Sequence, residues 1–275
     1  MAYDESNIRT LSSIEHIRQR PGMYIGRLGN GSHPEDGIYI LLKEVIDNSI
    51  DEFMEGNGSK IVVTLEGQKC SVRDYGRGIP LNKLIECVSV INTGAKYDNE
   101  AFQYSVGLNG VGTKAVNALS SYFEITSWRE GEYMHAVFER GVLKQKKKGK
   151  GDEPNGTFVS FIPDDDPAIF GKYTYNEEYI KERLWNYAYL NKGLTITFNG
   201  KTIRSPGGLM DLVKKILGDD GLYPLINYKS KSLEFSFTHT NGYGESYHSY
   251  VNGQYTSDGG THEAAFKEGV LKGIN

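Results

Sequence analysis

Cysteine is nearly absent from this sequence, which has only Cys70 and Cys87 among its 275 residues. Two thiols cannot form a disulfide framework, and their spacing does not match a metal site. Long apolar runs of membrane-spanning length are also missing, and the first residues lack the basic-then-apolar pattern of a signal peptide. We therefore expect a cytoplasmic protein in a reducing compartment, with no membrane partner.

The sequence also has no excess of basic residues. The formal net charge is -4, with 31 basic and 35 acidic residues. This balance excludes a positive field over the whole surface, so any contact with DNA must be local. One basic run, KQKKKGK, occupies residues 144–150. Because no aromatic residues interleave it, we interpret it as a solvated hairpin tip rather than a nucleic-acid site.

Hydrophobic periodicity predicts a mixture of helices and antiparallel strands, an α+β fold. Helical spacing of apolar residues predicts helices over residues 38–54, 81–91, 113–119 and 176–191. Alternating patterns predict a hairpin of residues 60–65 and 70–74, and strands at 122–128, 133–139, 157–162 and 194–199. The turn sequence SPGG at residues 205–208 predicts a domain boundary. Beyond it we predict a helix over 209–217, strands at 233–239 and 246–252, and a helix that begins near His262.

Three motifs carry candidate chemistry, and the first lies on the long helix of residues 38–54. At 100° per residue, Glu44, Asn48 and Asp51 fall within about 60° of one another, opposite the apolar stripe. A carboxylate can polarise a water molecule, and an amide oxygen one turn away can ligate Mg²⁺. Taken alone, the pattern favours an ordinary solvated helix face.

The second motif, DYGRGIP at residues 74–80, directly follows a predicted strand. The Asp74 carboxylate can accept a hydrogen bond from an adenine amino group while the ring lies on the bare backbone of Gly76 and Gly78. The alternative is a tight turn with an ordinary aspartate.

The third motif, GLNGVG at residues 107–112, opens a predicted helix. Glycines before a helix N-terminus expose backbone amides to a phosphate group. The spacing matches neither the dinucleotide fingerprint nor a Walker A loop, and alone it is typical of a surface loop. Taken in order, the three motifs supply a metal-and-water face, an adenine acceptor and a phosphate cradle, which together indicate an ATP site.

This set of motifs resembles the Bergerat (GHKL) ATP-binding fold, and longer segments narrow the resemblance. The segments similar to B subunits of gyrase and topoisomerase IV are RPGMYIG (20–26), EVIDN (44–48), GVG (110–112), VNALS (116–120) and DGGTH (258–262). The resemblance covers essentially the whole chain. It implies an α/β sandwich, with a mostly antiparallel sheet covered by helices, in residues 1–205. The start of an α/β transducer domain is implied in residues 206–275.

The resemblance also implies a role for each site residue. Glu44 would be the general base, and Asn48 would hold Mg²⁺ against the triphosphate of ATP. Asp74 would accept from the adenine amino group, partly through a water shared with Thr157. Further ATP contacts are implied for Tyr3, Asp51, Arg77, Gly78, Ile79, Pro80, Lys96, Gly107, Leu108, Asn109, Gly110, Val111, Gly112 and Arg129.

The implied partners are ATP, a DNA-cleaving A subunit, DNA in the full complex, and a second B subunit joined through the N-terminal arm that carries Tyr3. The parent enzyme would use ATP to close a dimer gate around DNA, with topoisomerase IV favoured over gyrase on overall similarity. The alternatives are a mismatch-repair clamp of the same fold, and a nucleotide-responsive interaction module without turnover.

The chain departs from the family pattern at three points. Relatives often carry an orienting histidine four residues before the catalytic glutamate, where this chain has Ile40, with Tyr39 beside it as a candidate substitute. Asn109 replaces a histidine that is common in the glycine loop. The family's Gln-x-Lys loop, whose lysine contacts the γ-phosphate, is not reached by residue 275. We therefore expect a truncated chain that binds nucleotide and hydrolyses it poorly.

Overall fold

A computed structural model describes residues 10–93 and 110–274 of the chain. Its strands are β1 (Lys60–Glu66), β2 (Lys69–Asp74), β3 (Ser120–Arg129), β4 (Glu132–Glu139), β5 (Val142–Lys150), β6 (Gly156–Pro163), β7 (Thr195–Phe198) and β8 (Lys201–Ile203). They form one eight-stranded sheet in the order β5-β4-β3-β6-β2-β1-β7-β8. Neighbouring strands are antiparallel except β1 and β7, which are parallel.

The helices are α1 (Ser13–Gln19), α2 (Gly22–Ile25), α3 (Gly37–Met54), α4 (Leu84–Ser89), α5 (Gly112–Ala118), α6 (Glu177–Leu190), α7 (Leu209–Leu217) and α8 (Thr261–Ile274). Two small sheets pair β9 (Ile226–Lys229) with β10 (Glu234–Phe237), and β11 (Tyr250–Val251) with β12 (Gln254–Tyr255). The predicted α+β class, with a mostly antiparallel sheet and helices, is confirmed. None of the helices in the described ranges is long and apolar enough to cross a bilayer.

Short turns set the register of the large sheet. The β3–β4, β4–β5 and β7–β8 connections each place two residues at positive φ: Glu130-Gly131, Arg140-Gly141 and Asn199-Gly200. Positive φ at both central residues defines the type I′ turn, whose twist matches that of antiparallel strands. The predicted hairpin of residues 60–65 and 70–74 is also present, with Leu65 opposite Cys70.

One face of the sheet carries the core. Because side chains alternate along a strand, Phe123 and Ile125 of β3 lie on one face with Phe161 of β6 opposite Phe123, and all three are fully buried. The apolar stripe of α3, which includes Leu41 and Ile46, is buried in the same cluster. This packing fixes α3 against the sheet.

Several elements differ from the sequence prediction. The helix predicted over residues 81–91 is a 3₁₀ turn (Leu81–Lys83) followed by α4, which ends because Val90 is extended, with φ -112° and ψ 119°. The strand predicted over 246–252 is reduced to β11, because its partner β12 has only two residues. The sequence analysis predicted none of α1, α2, β8, β9 and β12.

The basic run at residues 144–150 is not a hairpin tip, and it forms most of the edge strand β5. It pairs with β4, so that Lys146 lies opposite Ala136. The prediction that the run is solvated was right, since eight of the nine residues of β5 are exposed. The predicted hairpin-tip conformation was wrong, because hydrogen bonding to β4 continues beyond the Arg140-Gly141 turn.

The turn at residues 205–208 leads into α7 through hydrogen bonds to one carboxylate. Asp211 Oδ2 accepts from Ser205 Oγ at 2.7 Å and from Gly207 N at 2.7 Å. Residues after this turn form α7, the two small sheets and α8, none of which adds a strand to the large sheet. The domain boundary at residue 205 stays a prediction.

Candidate nucleotide-binding site

The polar face of α3 is not an ordinary solvated surface. Asp51 is only 2% exposed. Asn48 Nδ2 donates to the backbone oxygen of Glu44 at 2.8 Å and to Thr113 Oγ1 at 3.0 Å. Thr113 lies in the first turn of α5, so the Asn48 amide joins the two helices. Because Nδ2 faces these acceptors, Oδ1 points to the other side of the amide.

Glu44 lies against the first residue of α5. A Cβ atom built on Gly112 would be 1.8 Å from Glu44 Oε2, which is closer than any real side-chain contact. Glycine at this position therefore allows the helix backbone to approach the carboxylate. The structure thus brings the first sequence motif, on α3, together with the end of the third motif, at the start of α5.

Asp74 ends β2 and is buried, with 7% of its surface exposed. Its Oδ1 accepts from Gly76 N at 2.9 Å and from Thr157 N at 3.1 Å. No donor from residues 10–93 or 110–274 is directed at Oδ2. Burial raises the pKa of Asp74 to about 6, although the two backbone donors oppose this shift. Oδ2 is thus placed to accept from an incoming donor.

Two glycines let the turn of residues 75–80 pack closely on its neighbours. A Cβ on Gly76 would lie 2.7 Å from Glu52 Oε2, and one on Gly78, where φ is 76°, would lie 2.5 Å from the Trp128 backbone oxygen. Arg77 makes a two-point ion pair with Glu52, from Nε to Oε2 at 3.1 Å and from Nη2 to Oε1 at 2.9 Å. Since Glu52 belongs to α3, the turn after β2 is held on the helix that carries the first motif.

The other side of the turn is attached to the end of β3. Ser127 Oγ donates to the Ile79 backbone oxygen at 2.8 Å, and Arg129 Nη1 lies 3.5 Å from the Gly78 backbone oxygen. A groove of about 380 Å³ adjoins these contacts and is lined by Pro80, Leu81, Asn82, Arg129, Glu130, Glu132 and Lys148. The predicted rim residues Ile79, Pro80 and Arg129 are therefore neighbours in the structure.

Several predicted site residues lie outside the described residues: Tyr3, Lys96, Gly107, Leu108 and Asn109. Of the glycine motif, the structure describes Gly110, Val111 and Gly112 at the entry to α5, with Gly110 at φ 59°. The phosphate cradle and the lid over it therefore stay predictions.

Comparison with known proteins identifies the family. A model described as histidine kinase-, DNA gyrase B-, and HSP90-like ATPase matches residues 33–167, and a DNA gyrase B model matches residues 195–275. The 43K ATPase domain of Thermus thermophilus gyrase B, solved with an aminocoumarin, superimposes with a TM-score of 0.75 at 30% identity, over 96% of this chain and 75% of that one. This chain belongs to the B-subunit family of type II DNA topoisomerases.

Other members of the B-subunit family are similar over the whole chain. The B subunit of DNA topoisomerase 4 from Borreliella burgdorferi is 57% identical over 99% of this chain and 45% of its own length. The B subunit of DNA gyrase from Thermus thermophilus is 37% identical over 100% of this chain and 46% of its own length. The chain thus spans about half the length of these relatives. The ATPase and transducer domains of topoisomerase II from Balamuthia mandrillaris share the fold, with a TM-score of 0.83 at 20% identity over 99% of this chain and 78% of that one.

The sequence analysis missed one buried carboxylate on α3. Asp47 is 3% exposed. Its Oδ1 accepts from the Tyr187 hydroxyl, and its Oδ2 accepts from Lys43 Nζ at 2.5 Å and Gln254 Nε2 at 3.4 Å. Tyr187 and Gln254 are 140 and 207 residues away in the chain. No local sequence signal could reveal a contact over such separations.

Tyr39 does not take the place of the orienting histidine. Its hydroxyl donates to the Gly31 backbone oxygen at 2.8 Å and accepts from Asn176 N at 2.7 Å. These bonds anchor the segments that precede α3 and α6. The expectation that Tyr39 could orient Glu44 is therefore wrong, because both bonds of the hydroxyl are made to other residues.

Proposed function

We propose that this chain is the ATP-binding and ATP-hydrolysing region of a type IIA DNA topoisomerase B subunit. In the longer protein, ATP would drive closure of a B-subunit dimer and passage of one DNA segment through another. A topoisomerase IV is favoured over a gyrase, because the chain is 57% identical to one topoisomerase 4 B subunit and 37% identical to one gyrase B subunit. The observation that carries the proposal is the buried Asp74 carboxylate, with Oδ2 facing no donor of the described residues, beside a glycine turn held on α3.

Adenine recognition is assigned to Asp74 and the turn that follows it. Because Oδ1 is engaged by two backbone donors, Oδ2 would accept from the adenine amino group. Gly76 and Gly78 have no Cβ, so a flat ring can lie on their backbone. Ile79, Pro80, Arg77 and Arg129 would border the ring.

Hydrolysis is assigned to Glu44. Its carboxylate would take a proton from the water that attacks the γ-phosphate, as a general base. The approach of Gly112 to Glu44 Oε2 supports this role, since it places the start of α5, where phosphate would bind, next to the carboxylate. Asp51, buried one turn beyond Asn48, would support the same face of α3.

Magnesium binding is assigned to Asn48. Within residues 10–93 and 110–274, no group of three or more His, Cys, Asp or Glu side chains could hold a metal ion by itself. Asn48 would therefore offer Mg²⁺ one side-chain oxygen, which fits a cation held otherwise by water and nucleotide phosphates. When bound, Mg²⁺ would neutralise charge on the triphosphate.

The remaining assignments are proposed from the family resemblance. Lys96 and the backbone amides of residues 108–112 would contact the phosphates, and Tyr3 would reach the nucleotide site of a second B subunit. A DNA-cleaving A subunit and DNA would complete the enzyme, in the cytoplasm. Residues 1–205 would be the ATP-binding domain and residues 206–275 part of the transducer domain.

The substitution Glu44→Ala tests the hydrolysis mechanism. In the full-length B subunit assembled with its A subunit, ATP binding should survive, while turnover falls by about two to four orders of magnitude, typical of losing a general base. The matched control is Glu182→Ala, which removes an exposed carboxylate on α6 and should leave turnover unchanged. Normal turnover in Glu44→Ala would show that another group activates the water.

Calorimetry with the unmodified chain tests adenine recognition separately. ATP should bind more tightly than GTP, because guanine carries an oxygen where adenine carries the amino group that Asp74 accepts from. Equal affinities would refute the Asp74 contact. Supercoiling and decatenation assays with the full complex would then separate gyrase from topoisomerase IV.

A further inference from the structure

The edge strand β5 concentrates positive charge in an otherwise acidic chain. It contains five lysines, Lys144, Lys146, Lys147, Lys148 and Lys150, and no acidic residue. The whole chain has 31 basic and 35 acidic residues, so the residues outside β5 include nine more acidic than basic side chains. The lysines are all exposed. β5 is therefore a local basic strip, although the chain as a whole carries net negative charge.

Few of these lysines are neutralised by the protein. Lys144 pairs with Glu139 at 3.4 Å and Lys148 with Glu132 at 3.3 Å, and all four side chains are exposed. Exposed ion pairs contribute only about 0–1 kcal/mol, so a stronger anion can replace the carboxylates.

The other three lysines of the strip carry uncompensated charge. In the part of the chain that the structure describes, no carboxylate forms an ion pair with Lys146, Lys147 or Lys150. Their ammonium groups are thus available to a polyanion.

The strand also gives these charges a regular spacing. Lys146, Lys148 and Lys150 are alternate residues of β5 and project to the same side, opposite Ala136, Met134 and Glu132 of β4. Alternate residues of an antiparallel strand are about 6.8 Å apart. Successive phosphates of one DNA strand are about 3.4 Å apart along the helix axis and also step around it, so their direct separation is about twice this rise. Alternate lysines therefore match successive phosphates of one strand. A flexible loop would not hold this spacing.

We propose that β5 is a docking strip for the phosphate backbone of duplex DNA. The lack of aromatic residues in the strip argues against base stacking on a single strand, but backbone contacts to a duplex require only positioned cations. The proposal rests on the proposed function only in that DNA is the substrate of the longer protein. Binding at β5 is independent of sequence and needs no nucleotide at Asp74.

Edge lysines have a second explanation, since they prevent a strand from pairing with another sheet. That role predicts self-association when the lysines are removed, and it predicts no change in DNA affinity. The two explanations therefore differ in what a charge-removing variant does to DNA binding.

The test compares two triple variants of the 275-residue chain that lose equal charge. Lys146→Gln, Lys147→Gln and Lys150→Gln remove the cations of β5 that have no carboxylate partner among the described residues. The control replaces Lys172, Lys201 and Lys231, three exposed lysines outside β5, by glutamine. Binding of a short fluorescent DNA duplex is measured by anisotropy between about 50 and 200 mM salt.

The β5 variant should bind the duplex at least about tenfold more weakly at low salt. Its plot of log affinity against log salt should be shallower by about 2, at about 0.9 for each of Lys146 and Lys150, which project to the same side. The control should bind like the parent chain. Equal binding by the two variants, or no duplex binding by the parent chain, would overturn the proposal. The proposal would also be overturned if the β5 lysines were needed for binding to anionic lipid vesicles but not for binding to DNA.

ATP affinity is measured on the same variants, because it reports on the proposed function alone. A β5 variant that binds ATP normally and DNA as tightly as the parent refutes the docking strip and leaves the nucleotide site untouched. Failure of the parent chain to bind ATP, with DNA binding still dependent on β5, would instead refute the proposed function.

Discussion

Replacing Asp74 by asparagine should stabilise the fold and weaken nucleotide binding at the same time. Burial raises the pKa of Asp74 from 3.8 to about 6 in the folded chain. One unit of pKa corresponds to about 1.4 kcal/mol, so the charged carboxylate lowers the free energy of unfolding by about 3 kcal/mol at neutral pH. Asparagine is almost the same size and carries no charge, and its Oδ1 can still accept from the Gly76 and Thr157 amides.

The gain in stability should depend on pH in a defined direction. Because the folded pKa of Asp74 lies above its ordinary value, the folded chain takes up the proton first as the pH falls. The penalty is therefore fully present above about pH 6, falls to about half at pH 5 and vanishes below about pH 4. The new amide NH₂ group lacks an acceptor, which costs about 1–3 kcal/mol, so we expect a net gain of about 0–2 kcal/mol at pH 8.

Urea unfolding of the chain and its Asp74→Asn variant at pH 8 and pH 5 would measure this difference. Calorimetry on the same samples should show ATP affinity reduced by about 1–3 kcal/mol, because an NH₂ group replaces the acceptor Oδ2. A variant that is less stable than the parent at pH 8 would refute the argument from burial. A variant with unchanged ATP affinity would refute the adenine contact.

Two further substitutions test contacts that only the structure shows. Gly112→Ala should lower ATP turnover in the full-length protein by up to about 100-fold, because the new Cβ displaces the Glu44 carboxylate, whereas Gly269→Ala, where a Cβ meets nothing within 4 Å, should not. Wild-type turnover in Gly112→Ala would contradict the approach of α5 to the carboxylate. Tyr187→Phe should lower the free energy of unfolding by about 1–3 kcal/mol in urea, since the buried α3 carboxylate loses a donor. Tyr189→Phe is the control, and equal effects of the two changes would show that the hydroxyl bond is unimportant.

Local patterns in the sequence were sufficient for most elements and for the motifs of the site. The helical spacing of apolar residues located α3, and the alternation of residues 122–139 located β3 and β4. Helix faces and tight turns depend on residues a few positions apart, so composition and spacing contain the needed information. The same holds for Asp74 and its glycine turn, because a strand end followed by glycines is a local feature.

Contacts between distant residues were decided by the tertiary structure alone. Local patterns did not show that residues 144–150 would be the sheet edge, because strand order depends on pairing across the whole chain. They also did not show the Tyr187 hydroxyl on Asp47, or the Gly112 backbone against Glu44. The sequence by itself determined which residue types are available for the chemistry. Only packing over long separations decided their burial and distances, and hence the pKa of Asp74 and the uncovered charge of β5.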